Sequence, residues 1–553
     1  MRNYELRAVY ATKALSQLPR ILGNMDRNPY SPTYGCLHRD YWLDKTSDFP
    51  DAVRQFAVHA MALAYINEFP GNIYRGKKKM LDWSVQAMLF WASIQHKDGS
   101  FDEFYPYERG WVGPSAFTTY TIVEAYALLR GEMTEEQKAI ILKAIKKAAY
   151  FIGKGENEED HLANHHAMAC LSLWKCYEVL NDPQIKNDFE NAFQVFLTYH
   201  NNEGWSREYD GVDPGYLSAT VSFFSKVYKT NPDERIKNVI DEAVAFSSYF
   251  AYPNGFYAGS LGSRNTLHFY CHGYEVMASK NPLAAAIAEK MLTGLSEDKL
   301  VPPEIISDRY LVYRVPEFLL SYLDYANDPK TDKLPYEKPP FQKFFLNAGI
   351  FIKQTESYYS VSNLAKGGVI KIFDKNNRLV YNNCGIIGKT AEGEIITSQW
   401  IDPTYTITTT ENSWKVEGRM NKVPSNKLFT PLKNIVFRLI LILLGWNPYL
   451  AHQIKGKIRK VLILGQRKIN VSFTREIDFK TLELKDTIKS SGVRISAMSF
   501  GDEFFVRYVP QSRYFQSQEL EVQGYDCSKE ELERLNKVGS LIRNESIKFN
   551  NHS

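Results

Sequence analysis

Cysteine is scarce in this chain and poorly spaced for metal or redox work. There are six in 553 residues (Cys36, Cys170, Cys176, Cys271, Cys384 and Cys527), and no two stand in a CxxC pattern. That spacing excludes a disulfide scaffold and a zinc ribbon. Cys170 and Cys176 fall out of phase on a helix, and Cys170 sits in an apolar stretch that suits a reduced thiol. A charge surplus is missing too. Lys and Arg number 67 against 63 Asp and Glu, which leaves no bulk argument for a nucleic-acid partner. The first residues, MRNYELRAVYATKALSQLPRIL, lack the unbroken apolar centre of a secretory signal, so a cytoplasmic protein is expected. Long apolar runs are absent as well. The strongest is IVFRLILILLGW, residues 435–446, which is interrupted by Arg438 and is well short of the roughly 20 residues that cross a bilayer as a helix.

Aromatic rings are plentiful, at 14% of residues with 35 Tyr and 9 Trp. Rings fill cores, and in clefts they also serve as platforms for sugar faces. The length calls for two or more domains, and 44% hydrophobic with 24% charged residues is the balance of a folded protein. Two readings fit the 435–446 run, which is followed by Lys455, Lys457, Arg459 and Lys460. A buried helix inserted in a β-domain is the expected one. The sharper one is an interfacial helix resting on an anionic membrane, a peripheral contact through 435–460.

Residues 50–327 read as helices joined by Gly- and aromatic-rich loops. Thr134 with Gln137 makes a capping-box pattern, and Ile140, Ile141, Ala144, Ile145, Ala148 and Ala149 then recur at helical period. The loops beginning at Asp98 and Glu203 share an order: acidic residue, Gly, polar-aromatic stretch, Pro with a small residue, then helix. A looser copy begins at Asn254. Repeated loop-helix units imply stacked helical hairpins, and a closed ring of them is an α/α toroid. The expected fold is therefore multidomain α+β, with a toroid over 1–327 and a linker at 328–342. An antiparallel β-sandwich domain over 343–525 follows, with a turn at Asp374–Asn377. A mostly helical insertion at 425–460 interrupts it, and 526–553 reads as a polar tail or peripheral helix.

Four loop-end sites line up in the helical region. They are Asn164 with His165 and His166 in LANHHAMAC; Tyr209 and Tyr216 in YDGVDPGY; Arg264 and Asn265 in GSRNT; and His268 with His272. Taken alone, Asn164 reads as a helix cap. Together with the strand INVSFTREIDF, the order of ANHH, DGVDPGY and GSRNT resembles the heparinase II/III-like polysaccharide lyases, relatives of alginate and chondroitin lyases. That resemblance implies β-elimination at a uronic acid in an acidic polysaccharide, without a cofactor. Removing the C5 proton loads charge onto the sugar carboxylate, so donors must stabilise it, and a base and an acid must serve C5 and O4. By resemblance Asn164 and His165 hold the carboxylate, Tyr216 is base, acid or both, and Arg264 lowers the Tyr pKa or binds the sugar acid. His166, Tyr209, Asn265, His268, His272, Trp205 and Glu103 are the expected substrate contacts. The pairs His161/His165 and His268/His272 have i,i+4 spacing but no third ligand at readable spacing, so no metal is expected. Some relatives take a His from the β-domain. Here only His452 and His552 follow His272, so the β-domain would offer Tyr358 or Tyr359, or nothing. Two rival readings remain. One is a glycoside hydrolase using two carboxylates from Asp102, Glu103, Glu208, Asp210 and Asp213, with Glu108 a further acidic residue of that loop. The other is a non-catalytic glycan-binding or assembly protein of a bacterial polysaccharide pathway.

Overall fold

Thr134 and Gln137 close the capping box their spacing predicts. The Gln137 N–H donates to Thr134 Oγ1 at 3.3 Å, and the Thr134 N–H donates to Gln137 Oε1 at 3.0 Å. The helix that follows buries Ile141, Ala144, Ile145, Ala148 and Ala149. Ile140, expected on the same face, is exposed. The computed structural model describes residues 4–103, 112–155, 162–423, 430–459, 467–501, 503–504, 514–520 and 524–549. Glu108, His161, His552 and the stretch KVLILGQ, residues 460–466, lie outside the described residues.

In order the helices are α1 (Tyr4–Leu15), α2 (Leu18–Gly23), α3 (Arg39–Trp42), α4 (Val58–Ile66), α5 (Lys78–Ser93), α6 (Val112–Leu129) and α7 (Glu135–Lys154). Then come α8 (Ala163–Leu180), α9 (Pro183–Leu197), α10 (Pro214–Tyr228), α11 (Glu234–Ser247), α12 (His272–Met277), α13 (Pro282–Ser296) and α14 (Asp308–Leu323). Helices α4, α6, α8, α10, α12 and α14 each touch the next, and α14 returns to α4. That closes a ring. The alternate helices α5, α7, α9, α11 and α13, with α1, pack around it. Composition explains the split: every residue of α10 is buried, as befits an inner helix. Helix α11 instead buries one stripe, Ile236, Val239, Ile240, Ala243 and Val244. Because an outer helix returns the chain after each inner one, the inner helices run in one direction and begin at one end.

Among the described residues before 324 the only ladder is a two-residue antiparallel pair, β1 (Arg207–Glu208) with β2 (Gly211–Val212). After the helices comes an antiparallel meander of β3 (Phe341–Phe345), β4 (Ile350–Gln354), β5 (Tyr358–Asn363), β6 (Val369–Asp374) and β7 (Leu379–Asn383). A second, nine-stranded sheet takes β8 (Ile386–Thr390), β9 (Ile395–Thr397), β10 (Thr406–Thr409), β11 (Ser413–Lys422), β12 (Lys468–Asp478), β13 (Glu483–Ser490), β14 (Ile495–Phe500), β15 (Tyr525–Asp526) and β16 (Ser540–Ser546). The meander is buried on both faces. Ile350, Ile352, Val361, Val369 and Phe373 join the core of the helical ring, while Phe351, Ile370 and Ile372 meet Trp414, Val416 and Phe473 of the larger sheet. Period-two alternation thus seats the sandwich on the toroid.

Two expectations need correction. The stretch 526–553, expected as a polar tail or peripheral helix, carries the helix α17 (Lys529–Val538), but it also carries the unexpected β16, which pairs with β13 from Glu483↔Ser546 to Lys489↔Ser540. Alternation in SLIRNES buries Leu541 against the sandwich, and that pattern went unread among the polar residues around it. The insertion forms α15 (Pro431–Leu444) and α16 (Pro448–Arg459), but not a buried helix: Leu439, Ile442 and Leu443 are all exposed.

Candidate active site

The site is organised around Glu208. A backbone bridge between Glu208 and Leu162 lays β1 against the start of α8, and the Glu208 carboxylate enters that helix end. It accepts the Asn164 backbone N–H at 2.7 Å, and Asn164 Nδ2 lies 2.8 Å from both of its oxygens. The cap position of α8 is Leu162, with no side-chain bond. Asn164 is therefore not the cap. Glu208 satisfies the open end from outside, where a carboxylate is favoured by the helix dipole.

Asp213 builds the next wall. One of its oxygens accepts the Tyr216 N–H at 3.1 Å and caps α10; the other accepts the Arg264 N–H at 2.9 Å. The two segments approach so closely that a Cβ on Gly262 would lie 2.6 Å from that second oxygen. Arg264 is thereby fixed with its guanidinium between two rings, 4.5 Å from the centre of Tyr209 and 4.1 Å from that of Tyr216. Its Nη1 is 3.5 Å from Glu208 Oε2. Tyr209 and Asn265 both hold positive φ, 59° and 55°, a conformation non-Gly residues keep only where their surroundings impose it.

These neighbours shift each other's ionisation. Burial pushes the Glu208 carboxyl up to about 7, against the pull of Arg264 and Asn164. Burial also raises the Tyr216 phenol well above its usual range, although Arg264 opposes it. The expectation that Arg264 lowers the Tyr pKa thus meets a larger opposing effect, and Tyr216 is a neutral phenol at rest. For Arg264 burial is outweighed by Tyr209, Tyr216 and Glu208, and the guanidinium is held firmly charged.

The remaining expected contacts are scattered. His165 lies edge-on to Phe117, ring centres 5.6 Å apart. His166 stacks on Tyr199 just past the outer helix α9, at 4.6 Å. Trp205 donates to Glu203, which also accepts the Asn347 and Ala348 N–H groups of the β-domain, so this pair belongs to the domain junction. His268 precedes α12 and packs on Tyr514, whereas His272 begins α12 and bonds Asp324 at 2.6 Å. The i,i+4 spacing is therefore not that of one helix face, and among the described residues no cluster of three metal-binding side chains occurs. Glu103 is bound with Asp51 by Arg309 from the start of α14. Asp102 pairs with His96 at 2.9 Å, and Asp210 lies in the β1–β2 turn. Tyr358 donates to Phe479 O inside the sandwich and Tyr359 to Tyr249 O beside an outer helix. Neither reaches Glu208.

The β-domain contributes differently. Lys366, in the tight turn after β5, donates to Ser260 O and Gly262 O at 2.6 Å each and to Asn265 Oδ1. Asn363 donates to Leu261 O at 2.6 Å. These two grip the loop that carries Arg264. In the sequence NLAKGG the lysine had no signal beyond a turn, since its partners are carbonyls a hundred residues away. Glu208 was legible only as a spare carboxylate.

Residues 72–298 match the family model of the ulvan lyase N-terminal domain, a span that holds Asn164, Glu208, Tyr216 and Arg264. Over those residues the chain is similar to a polysaccharide lyase domain. Among solved structures, a Paenibacillus xanthan lyase superposes with TM-score 0.53 at 11% identity, covering 90% of this chain and 46% of its own. The Streptomyces coelicolor A3 chondroitin AC lyase, solved with chondroitin sulphate, gives 0.54 at 9%, covering 89% and 67%. At such identities the likeness is one of fold, toroid followed by β-domain. The chain spans about half the length of the xanthan lyase. No curated protein matches it.

Proposed function

We propose that this lyase-type chain cleaves a uronic-acid-containing polysaccharide by β-elimination at the Asn164–Glu208–Arg264–Tyr216 cluster. The observation that carries the reading is the meeting of an amide, a guanidinium and a neutral phenol around one buried carboxylate, where the inner helices begin. Glu208 orients Asn164 and Arg264. An amide nitrogen has two hydrogens, and the one turned to the sugar carboxylate stabilises the charge that grows when C5 loses its proton. His165, next to Asn164 at the start of α8, is the base that takes that proton through an unprotonated ring nitrogen. Tyr216, protonated at rest, gives its own to the leaving O4. His166, Trp205 and His272 have structural partners and are left out of the machinery; Tyr209 packs on Arg264, and Asn265 ties its loop to Lys366.

A hydrolase is not favoured. It needs two carboxylates free to face one bond, whereas Glu208 is bound to Asn164, Asp213 to Tyr216 and Arg264, Glu103 to Arg309 and Asp102 to His96. The six free cysteines, five of them buried, support a reducing compartment. The test is a panel of acidic polysaccharides including ulvan, xanthan and chondroitin sulphate, followed by near-ultraviolet absorbance for the 4,5-unsaturated product. Appearance of that chromophore with one of them supports elimination. New reducing ends without absorbance would mean hydrolysis, and binding without cleavage would return the chain to an assembly role.

A further inference from the structure

The α15–α16 hairpin turns its apolar side chains to solvent. Leu432, Ile435, Val436, Leu439 and Leu443 recur at i, i+3, i+4, i+7 and i+11, a single stripe of the helix, and are 48–71% exposed. Trp446 and Tyr449 extend the exposed face beyond the helix end. The opposite side is anchored: Leu441 and Ala451 are buried, and Arg438 Nη2 lies 3.1 Å from Asp48 Oδ1 in the helical domain. The stripe is thus held outward by a fixed base.

Charge indicates what covers it. From Pro431 to Arg459 the hairpin has five Lys and Arg (Lys433, Arg438, Lys455, Lys457 and Arg459) and no Asp or Glu, although the net charge of the whole chain is only +4. Without that stretch the chain is net acidic. A second copy of the hairpin would bring two such basic segments together, which repel. An anionic lipid surface attracts them. Helix α15 has 14 residues, about 21 Å at 1.5 Å per residue, too short to cross a bilayer, and among the described residues no helix is long and apolar enough to do so. Trp and Tyr at one end of an apolar stripe suit the boundary between headgroups and acyl chains.

We propose that the α15–α16 hairpin docks the protein on an anionic membrane surface, with α15 lying in the plane of the interface. Asp48 lies three residues before Asp51, which Arg309 binds where the inner helices begin, so docking holds that end of the ring close to lipid. The inference does not depend on the lyase reading, because the test uses no substrate. The full chain is floated with vesicles of phosphatidylcholine alone and of phosphatidylcholine with phosphatidylglycerol. It should float only with the anionic vesicles and be released by added salt. Leu439→Glu with Leu443→Glu changes two exposed positions and should weaken flotation at least about tenfold, with an unchanged melting curve. Lys457→Gln, at another exposed position, should weaken it less. Wild-type protein that fails to float, or a double variant that floats equally well, overturns the proposal. So does a stable dimer that the double variant converts to monomer, which would make the stripe a contact between copies.

Discussion

Glu208 shows how a residue's burial and its partners compete. A carboxylate cut off from water favours its neutral form, and here that effect outweighs Arg264 and Asn164, so its pKa rises from 4.5 to about 7. The folded protein therefore keeps a proton that the unfolded chain has released. The resulting stability is fully present below pH 4.5 and is lost as the pH rises through about 7. The size of that loss is about 3 kcal/mol, at 1.36 kcal/mol per pKa unit. Glu208→Gln keeps an acceptor for Asn164 but cannot ionise, and its stability should lack this fall. Denaturant melts on either side of the window compare the two proteins, and parallel stability curves would mean that Glu208 is ionised in the fold throughout. Tyr216→Phe keeps the ring over Arg264 and removes only the hydroxyl. Binding of the polysaccharide should persist while turnover drops by roughly a hundredfold or more. Near wild-type turnover would remove Tyr216 from the mechanism. Asn164→Ala should also lower turnover, through lost stabilisation of the charged intermediate.

At the scale of elements, the close approach of helix starts sets the geometry. Helix α6 brings Gly113 against His165, and a Cβ there would stand 2.6 Å from the imidazole Nδ1. A ring braced by Phe117 has little room to yield. Gly113→Ala should therefore displace His165 and cut turnover severalfold to tenfold or more. The alanine costs the helix nothing in propensity, so any loss of stability comes from the contact itself. Turnover and melting temperature measured together separate the two effects. Unchanged turnover would show that the position of His165 does not matter to the reaction. The same scale explains why His268 and His272 part company: His268 precedes α12 and His272 begins it, so no single helical turn brings the two rings together.

For the whole molecule, the question is what the β-domain does for a site built of helices. Lys366 is buried and donates to three oxygens of the 259–266 loop. Lys366→Met would leave those acceptors without their cation, at a cost of about 2–5 kcal/mol. It should also lower turnover, because Arg264 rides on the loosened loop. Melting and turnover assays check this. A variant that matches wild type in both would show that the loop keeps its shape without the β-domain.

Much of the architecture was legible because burial patterns are local. Helical period in 134–152, alternation in β12 and the repeated loop order each reflect a face that must be covered, and they point to a toroid followed by an antiparallel sandwich. ANHH, DGVDPGY and GSRNT marked segments that do meet. What they do on meeting depended on tertiary structure. Asn164 reaches Glu208 across 44 residues, Glu208 reaches Arg264 across 56, and Lys366 reaches Asn265 across 101. No local pattern encodes those distances, since ring closure and the seating of the sandwich select which loops share one end. The outward stripe of α15 is the converse case. Its apolar composition was plain in the sequence, but whether it met the core or solvent depended on the base formed by Arg438, Leu441 and Ala451, because an amphipathic helix specifies that it has an apolar face and not what will cover it.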